Sequence, residues 1–364
     1  MDQDKSEFRL IEWIRGQAGG WGEGVGVGIG DDMAVLEVGG EKVLLTTDTL
    51  LEGVHFYLEG RMGFAPGEGK KGTDPFKLPA TLEQVGYKAM ACGLSDCAAM
   101  AALPWAAVAA ASLPNEMSME EAQQLHKGLQ KAAEKYKCPL VGGDTTSWDK
   151  PLAVTVTMLA RAEGVEPVLR SGAQAGDAIM VTGELGRSGA GKHLDFEPRA
   201  AEARELAKLV KLHAMIDISD GLSIDLDHIC RESKAAAVIE AQAVPISAAA
   251  RKAKDPLEAA LSDGEDFELL FCVGQADAEK LLTEWPKIST VRLSKIGEIL
   301  KSEKSEVKIL PPRLRSRLKA ICAQNDRDKD SRPRANDRKT GRLFLCDKDG
   351  KIEPLAVKGW EHFK

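Results

Sequence analysis

The chain has 364 residues, of which 43% are hydrophobic and 29% charged, and its formal net charge is -7. That length accommodates two ordinary domains, each able to bury a core, and the balance is that of a soluble globular protein. Net acidity argues against general nucleic-acid binding, and no stretch approaches the apolar length of a membrane span.

The opening MDQDKSEFRL has no basic region followed by an apolar one, so the expectation is a soluble, cytoplasmic protein. Seven scattered cysteines without a C-x-x-C pair suit a reducing compartment and argue against a disulfide framework or a zinc site.

In chain order, Phe8, Ile11 and Ile14 predict a short amphipathic helix, followed by the glycine-dense "GGWGEGVGVGIGDD". "MAVLEV" and "KVLLTTDT" read as strands, 81–101 as a helix with Leu82, Val85, Ala89 and Cys92 in phase, and "WAAVAAASL" as an apolar run. A helix from about Ser118 to Tyr136 precedes two strands, "CPLVGGDTT" and "LAVTVTMLA". A second α/β block has strands near 178–182, 214–218, 267–273 and 291–299, which places a domain boundary near residue 165. Residues 61–79 and 311–342 read as insertions. The first is rich in Gly, Pro and Lys, and the second holds 11 Lys/Arg against 4 Asp and is expected to be a solvated basic arm.

"GRSGAGKH" at 186–193 nearly spells the phosphate-cradling loop of P-loop enzymes, but His193 stands where a magnesium-binding Ser or Thr is required. The stronger pattern is aspartate following apolar runs: "GIGDD" (Asp31, Asp32), "LLTTDT" (Asp48), "LVGGDTT" (Asp144) and "MIDISDGL" (Asp217, Asp220), with Asp96 in a helical segment. Each alone reads as a turn former or helix cap. In α/β sheets, however, strand carboxyl ends share one edge, so several acids there can converge on a crevice. Converged carboxylates repel unless a cation lies between them. Oxygen ligands without Cys or His select a hard ion such as magnesium, and that chemistry points to phosphoryl transfer.

Eight blocks, "GIGDDMAVLEV", "TTDTLLEGVHF", "YKAMACGLSDCAAM", "VGGDTT", "LRSGAQAGDAIMVTGELG", "IDISDGL", "LSDGEDFELLF" and "KGWEHF", occur in the order found in thiamine-monophosphate kinases. The chain resembles that family from about residue 6 to residue 363. The resemblance implies an α/β fold of the α+β type, with the two-domain architecture of the aminoimidazole ribonucleotide synthetase-like superfamily. It divides into an N-terminal ATP, metal and dimerisation domain at 1–165 and a C-terminal α/β domain at 166–364. It also implies a homodimer in which the N-terminal sheets join into a shared barrel. The expected reaction is ATP-dependent phosphorylation of thiamine monophosphate to thiamine diphosphate, by direct transfer assisted by several Mg2+ ions and without a covalent nucleophile.

Position by position, the resemblance assigns Asp32, Thr46, Thr47, Asp48, Asp96, Asp144, Asp217 and Asp220 as metal ligands. It assigns Gly143, Asp144, Arg170 and Ser219 to ATP, and His55, Glu265 and Trp360 to the thiamine substrate. On residue type alone, His55 reads as an ordinary loop histidine and Trp360 as a terminal core anchor. The chain departs from the family pattern at Gly93, Ser147 and Asp263, the last adding a charge beside Glu265. Competing expectations are a superfamily synthetase acting on a purine ribonucleotide, a P-loop NTPase built on Lys192, and a nucleotide-binding regulator without turnover. A selenophosphate synthetase is disfavoured because no cysteine precedes "GIGDD".

Overall fold

The computed structural model describes residues 7–18, 21–58, 78–301 and 342–360. The two expected insertions lie outside the described residues, apart from Leu78, Pro79 and Arg342. The first half runs α1 (Glu7–Gln17), β1 (Val25–Val27), β2 (Ala34–Val38), β3 (Glu41–Leu51), α2 (Leu82–Ala99), β4 (Leu103–Pro114), α3 (Met119–Lys135), β5 (Leu140–Trp148) and β6 (Ala153–Arg161). The second begins with β7 (Ala178–Thr182), α4 (Lys192–Asp195), α5 (Ala200–Leu209), β8 (Leu212–Asp217), α6 (Leu222–Glu232) and β9 (Ala235–Glu240). It continues with α7 (Pro256–Ser262), β10 (Leu269–Val273), α8 (Gln275–Glu284), β11 (Leu293–Lys301), β12 (Leu343–Cys346) and β13 (Ile352–Pro354).

The strands form a six-stranded sheet, β1-β2-β3-β6-β4-β5, and a seven-stranded sheet, β13-β12-β9-β11-β7-β10-β8. Among the described residues the pairings are antiparallel except β4 with β5 and β9 with β12. This corrects the expectation that the acids converge at strand carboxyl ends along one edge. Asp48 and Asp144 lie within β3 and β5, and Asp96 lies on α2. In an antiparallel sheet consecutive strand ends alternate between edges, so the acids must meet over a face of the sheet instead.

Alternation decides which face. In β6 Val154, Val156, Met158 and Ala160 are buried while Thr155 and Thr157 are not. The inner row packs with Leu44 of β3 against Val85, Met90 and Leu94 of α2. No helix of the described chain fills the outer face. Trp105, Val108, Val141 and Trp148 stand 43%, 40%, 66% and 38% exposed on β4 and β5. The second sheet is covered on both faces: Ile179 and Val181 pack with Leu222, Leu226 and Ile229, whereas Met180 and Phe271 pack with Trp285. The alanine-rich β9 went unrecognised in the sequence because alanine is a poor strand former.

Helix α2 carries much of the site, and three features fix its place. Thr81 and Gln84 form a reciprocal capping box at its start, and Ser118 and Glu121 do the same for α3. The two helices then approach backbone to backbone. A Cβ on Gly128 would lie 2.0 Å from the Glu83 carbonyl oxygen, and one on Gly86 equally close to that of Leu125. Gly128→Ala should therefore force α3 away from α2 and destabilise the protein by about 1–3 kcal/mol, read as a lowered thermal midpoint. An unchanged midpoint would show that the contact yields freely.

Candidate active site

A cleft of about 560 Å³ opens where α2 and β3 face the start of α6 and the loop before β10. Four stretches bring aspartates to it. Asp32 sits in the turn before β2, Asp48 on the inner face of β3, Asp96 on α2 and Asp217 at the end of β8. Carboxylate oxygens of Asp32, Asp96 and Asp217 lie within 4.8 Å of one another, close enough to share a divalent cation. Thr46 Oγ1 donates to Asp96 Oδ2 at 2.6 Å, and Ser95 Oγ donates to Asp217 Oδ2 at 2.5 Å. These hydroxyls orient the acids from outside the cluster. Asp32 Oδ2 is buried and has no hydrogen-bond partner among the described residues, as a ligand oxygen awaiting a cation would be.

Burial and mutual repulsion show in the titration of these groups. Asp48 is pushed up to about 6 and Asp217 to about 7, in each case by burial first and the Asp32 charge second. Asp96 is raised well above the usual carboxylate range by burial, then by Asp48 and Asp217. Asp31, behind the cluster, accepts the Arg170 backbone N–H and is itself raised to about 7 by burial and by Asp32. The guanidinium of Arg170 donates to Asp32 at 2.6 Å, across the seam between the two halves.

The turn after β8 supplies Ser219 and Asp220. Sequence suggested either residue as the cap of α6, but the cap is Gly221 without a side-chain bond. Asp225 braces the turn from within the helix, accepting the backbone N–H groups of Asp220 and Gly221 at 3.2 and 3.0 Å. Asp220, Asp225 and His228 form a second close group of potential ligands, with His228 driven down to about 3, chiefly by burial.

The remaining assigned residues line the opposite wall. Leu51 N–H donates to His55 Nδ1 at 2.9 Å, which leaves the ring proton on Nε2. Glu265 projects from a loop in which Gly264, Glu265 and Phe267 all have positive φ. Trp360 is brought in by its backbone N–H, which donates to the Asp220 carbonyl at 2.9 Å, while Lys358 N and O both bond Ser223 Oγ. Asp263 is ion-paired with Arg187 at 3.2 Å, so its added charge is already matched. Ser147 is exposed on β5, and Gly93 faces Met158 on the inner side of the sheet.

Two expected residues are not brought to this cleft by their own chain. Asp144 pairs with Ala110, which lies opposite Thr155, which lies opposite Thr49. It therefore stands on the outer face, three strand spacings or about 14 Å from β3, whereas Asp48 points inward. Gly143 shares that exposed edge strand. Thr47 borders the cleft, yet its hydroxyl bonds Thr157 Oγ1 at 3.0 Å on the outer face. The P-loop expectation also fails. Lys192 Nζ donates to Glu268 Oε1 at 2.8 Å and to the Glu184 carbonyl, and α4 spans only four residues, so no loop cradles a phosphate there.

Sequence reasoning missed Lys88 and Cys92, which lie one helical turn apart on α2 with Asp96 a further turn on, all lining the cleft. Their signal was a lysine in phase with an aspartate along an otherwise apolar helix.

The family descriptions "AIR synthase related protein, N-terminal domain" and "AIR synthase related protein, C-terminal domain" match residues 30–162 and 174–310. Thiamine-monophosphate kinase of Rhodopirellula baltica is 39% identical over 290 residues, covering 76% of this chain and 84% of its own length. That of Bacillus subtilis is 32% identical over 307 residues, covering 78% and 88%. The structure of AaThiL complexed with AMPPCP and TMP superposes with a TM-score of 0.71 at 26% identity, over 98% of this chain and 97% of that one.

The raised carboxyls set a pH dependence. Each has a folded pKa above its unfolded value, so the native protein keeps protons that the unfolded chain has released, and stability is lost as pH rises from about 4 to about 7. In protein stripped of divalent ions, Asp217→Asn should flatten that loss, and an added divalent cation should raise the thermal midpoint more at neutral than at acid pH. A cation effect equal at both would contradict the cluster's role.

Proposed function

The chain belongs to the thiamine-monophosphate kinase family, and on that premise we propose that its acid-lined cleft is where ATP and thiamine monophosphate meet over magnesium ions. The reaction is ATP-dependent phosphorylation of thiamine monophosphate. One observation supports the metal reading above all. Among the described residues Asp32, Asp48, Asp96, Asp217, Asp220 and Glu265 line the cleft, six acids against the two cations Lys88 and Arg170. A site of that sign repels polyphosphates unless cations are bound with them. All-oxygen donors suit magnesium, and Asp32, Asp48, Asp96, Asp217 and Asp220 would hold it, with Thr46 and Thr47 beside them. When bound, such ions offset the charge of two anionic substrates and of the transferring phosphoryl group.

The chain's own residues do the positioning. The acceptor is already a phosphate oxygen, so no side-chain nucleophile is required. Cys92, whose thiol is raised well above its usual value by burial and by Asp48, is not a thiolate at neutral pH. Arg170 presents a guanidinium fork to phosphate, and Ser219 lies beside it for the nucleotide. On the other wall His55, Glu265 and Trp360 form the acceptor subsite, with the indole available to the thiamine rings. Gly143 and Asp144 join this machinery only through a second copy of the chain. We place a homodimer on the outer face of the six-stranded sheet, its two sheets closing into a shared barrel, for which the exposed Val108, Val141 and Trp148 give an apolar surface. The domain division near residue 165, in the link between β6 and β7, and a cytoplasmic location belong to the same proposal. No helix of the described residues is long and apolar enough to cross a membrane.

Purified protein should form ADP in proportion to added thiamine monophosphate, with magnesium required. Asp48→Ala and Asp96→Ala should lower kcat by about 100-fold or more, and Lys192→Ala should retain most turnover. ADP formed only with a purine ribonucleotide, or a collapse of activity confined to Lys192→Ala, would refute the assignment. Asp144→Asn and Asp217→Asn homodimers should each be inactive, yet mixing and exchanging subunits should restore about a quarter of wild-type activity, since half the dimers then carry one intact site. No recovery in verified heterodimers would place Asp144 outside the active site.

A further inference from the structure

Lys88 is fully buried, an unusual state for a lysine, and it is absent from every assignment made from the sequence. Its ammonium has three donors and three acceptors around it. Nζ donates to the His55 carbonyl oxygen at 3.0 Å, to His193 Nδ1 at 2.9 Å and to Glu265 Oε1 at 2.5 Å. These acceptors come from the segment after β3, from α4 and from the loop before β10, so one buried charge ties both halves of the cleft. The lysine reaches the cleft but is screened from it. Glu265, with 19% of its side chain accessible, lies nearer the opening than Lys88 with 1%.

The loop that carries Glu265 is held in a conformation it would not adopt unaided. Glu265 and Phe267 have φ of 54° and 49°, a region costly for side chains other than glycine. Backbone bonds from Glu265 N to the Ser219 carbonyl and from Phe267 N to that of Ile218 fix the main chain, and Lys88 fixes the carboxylate.

We infer that Lys88 is a positioning residue that acts through Glu265, holding its carboxylate aimed into the acceptor subsite. The inference rests on the thiamine monophosphate reading above. His193, stranded in the failed P-loop motif, has its place here as the buried acceptor that locates the ammonium.

The test is a kinetic cycle on the full chain with Lys88→Met, Glu265→Gln and the double variant, measured against each substrate with the other saturating. Lys88→Met should raise KM for thiamine monophosphate by about tenfold or more while KM for ATP stays within about twofold, because Glu265 then loses the partner that aims its carboxylate. The double variant should match Glu265→Gln within about twofold in KM for thiamine monophosphate, since a residue acting through Glu265 then has nothing left to hold. That comparison decides the matter even if Lys88→Met alone does not fold, because the double variant buries neither charge. A double variant about tenfold weaker than Glu265→Gln, equal rises in both KM values, or a double variant that cannot fold where Glu265→Gln does would overturn the inference. Wild-type protein with no turnover of thiamine monophosphate would overturn the substrate reading and this inference with it.

Discussion

Repulsion among carboxylates is the constraint around which this molecule is arranged. Asp32, Asp96 and Asp217 hold oxygen atoms within 4.8 Å of one another in a buried place, where each charged pair costs roughly 3–4 kcal/mol at an effective dielectric near 20. The rest of the chain opposes that cost or exploits it. Arg170 neutralises Asp32 from the second half, Thr46 and Ser95 donate to Asp96 and Asp217, and burial with the Asp32 charge raises Asp217 above the usual carboxylate range. A cluster so built suits divalent cations and the anions that arrive with them, on the reading proposed above. That is the requirement of an enzyme that must bring together two substrates that both carry phosphate.

Helix α2 turns this requirement into geometry. Its capping box and its close approach to α3 hold it rigidly over the inner face of the first sheet, opposite Thr46 and Asp48. Along one side it presents Lys88, Cys92, Ser95 and Asp96, so a single element addresses both the acceptor wall and the metal cluster. The second sheet contributes from the other direction, through Asp217 and the turn that Asp225 braces. Contacts such as Ser95 to Asp217 and Lys88 to Glu265 join the halves at the site itself, beside apolar packing between them in which Phe196 and Phe267 share the core of the first half.

Much of this was legible in the sequence. Acids after apolar runs marked Asp32, Asp48, Asp217 and Asp220, although Asp48 lies within its strand and not at a turn, and helical phasing placed Asp96. The route by which they meet was not legible. Spacing gives strand positions but not strand directions, so an edge of strand carboxyl ends was expected where the face of an antiparallel sheet was found. Asp144 bears the same local signature as Asp48, yet pleat alternation and three strand spacings put it on the outer face. Only register across β3, β6, β4 and β5 reveals that. The reverse error is the P-loop look-alike. Glycines and a lysine sufficed for the motif, but Glu268, far along the chain, captures Lys192. Lys88 escaped notice because burial of a lysine is a tertiary fact.

The central claim, that divalent cations occupy the carboxylate cluster together with nucleotide, is open to one direct measurement. Anomalous scattering from crystals grown with manganese and a non-hydrolysable ATP analogue should place ions in contact with Asp32, Asp96 and Asp217, bridging them to the nucleotide phosphates. Nucleotide bound with its phosphates at 186–193, or manganese peaks confined to sites remote from those three aspartates, would contradict the account.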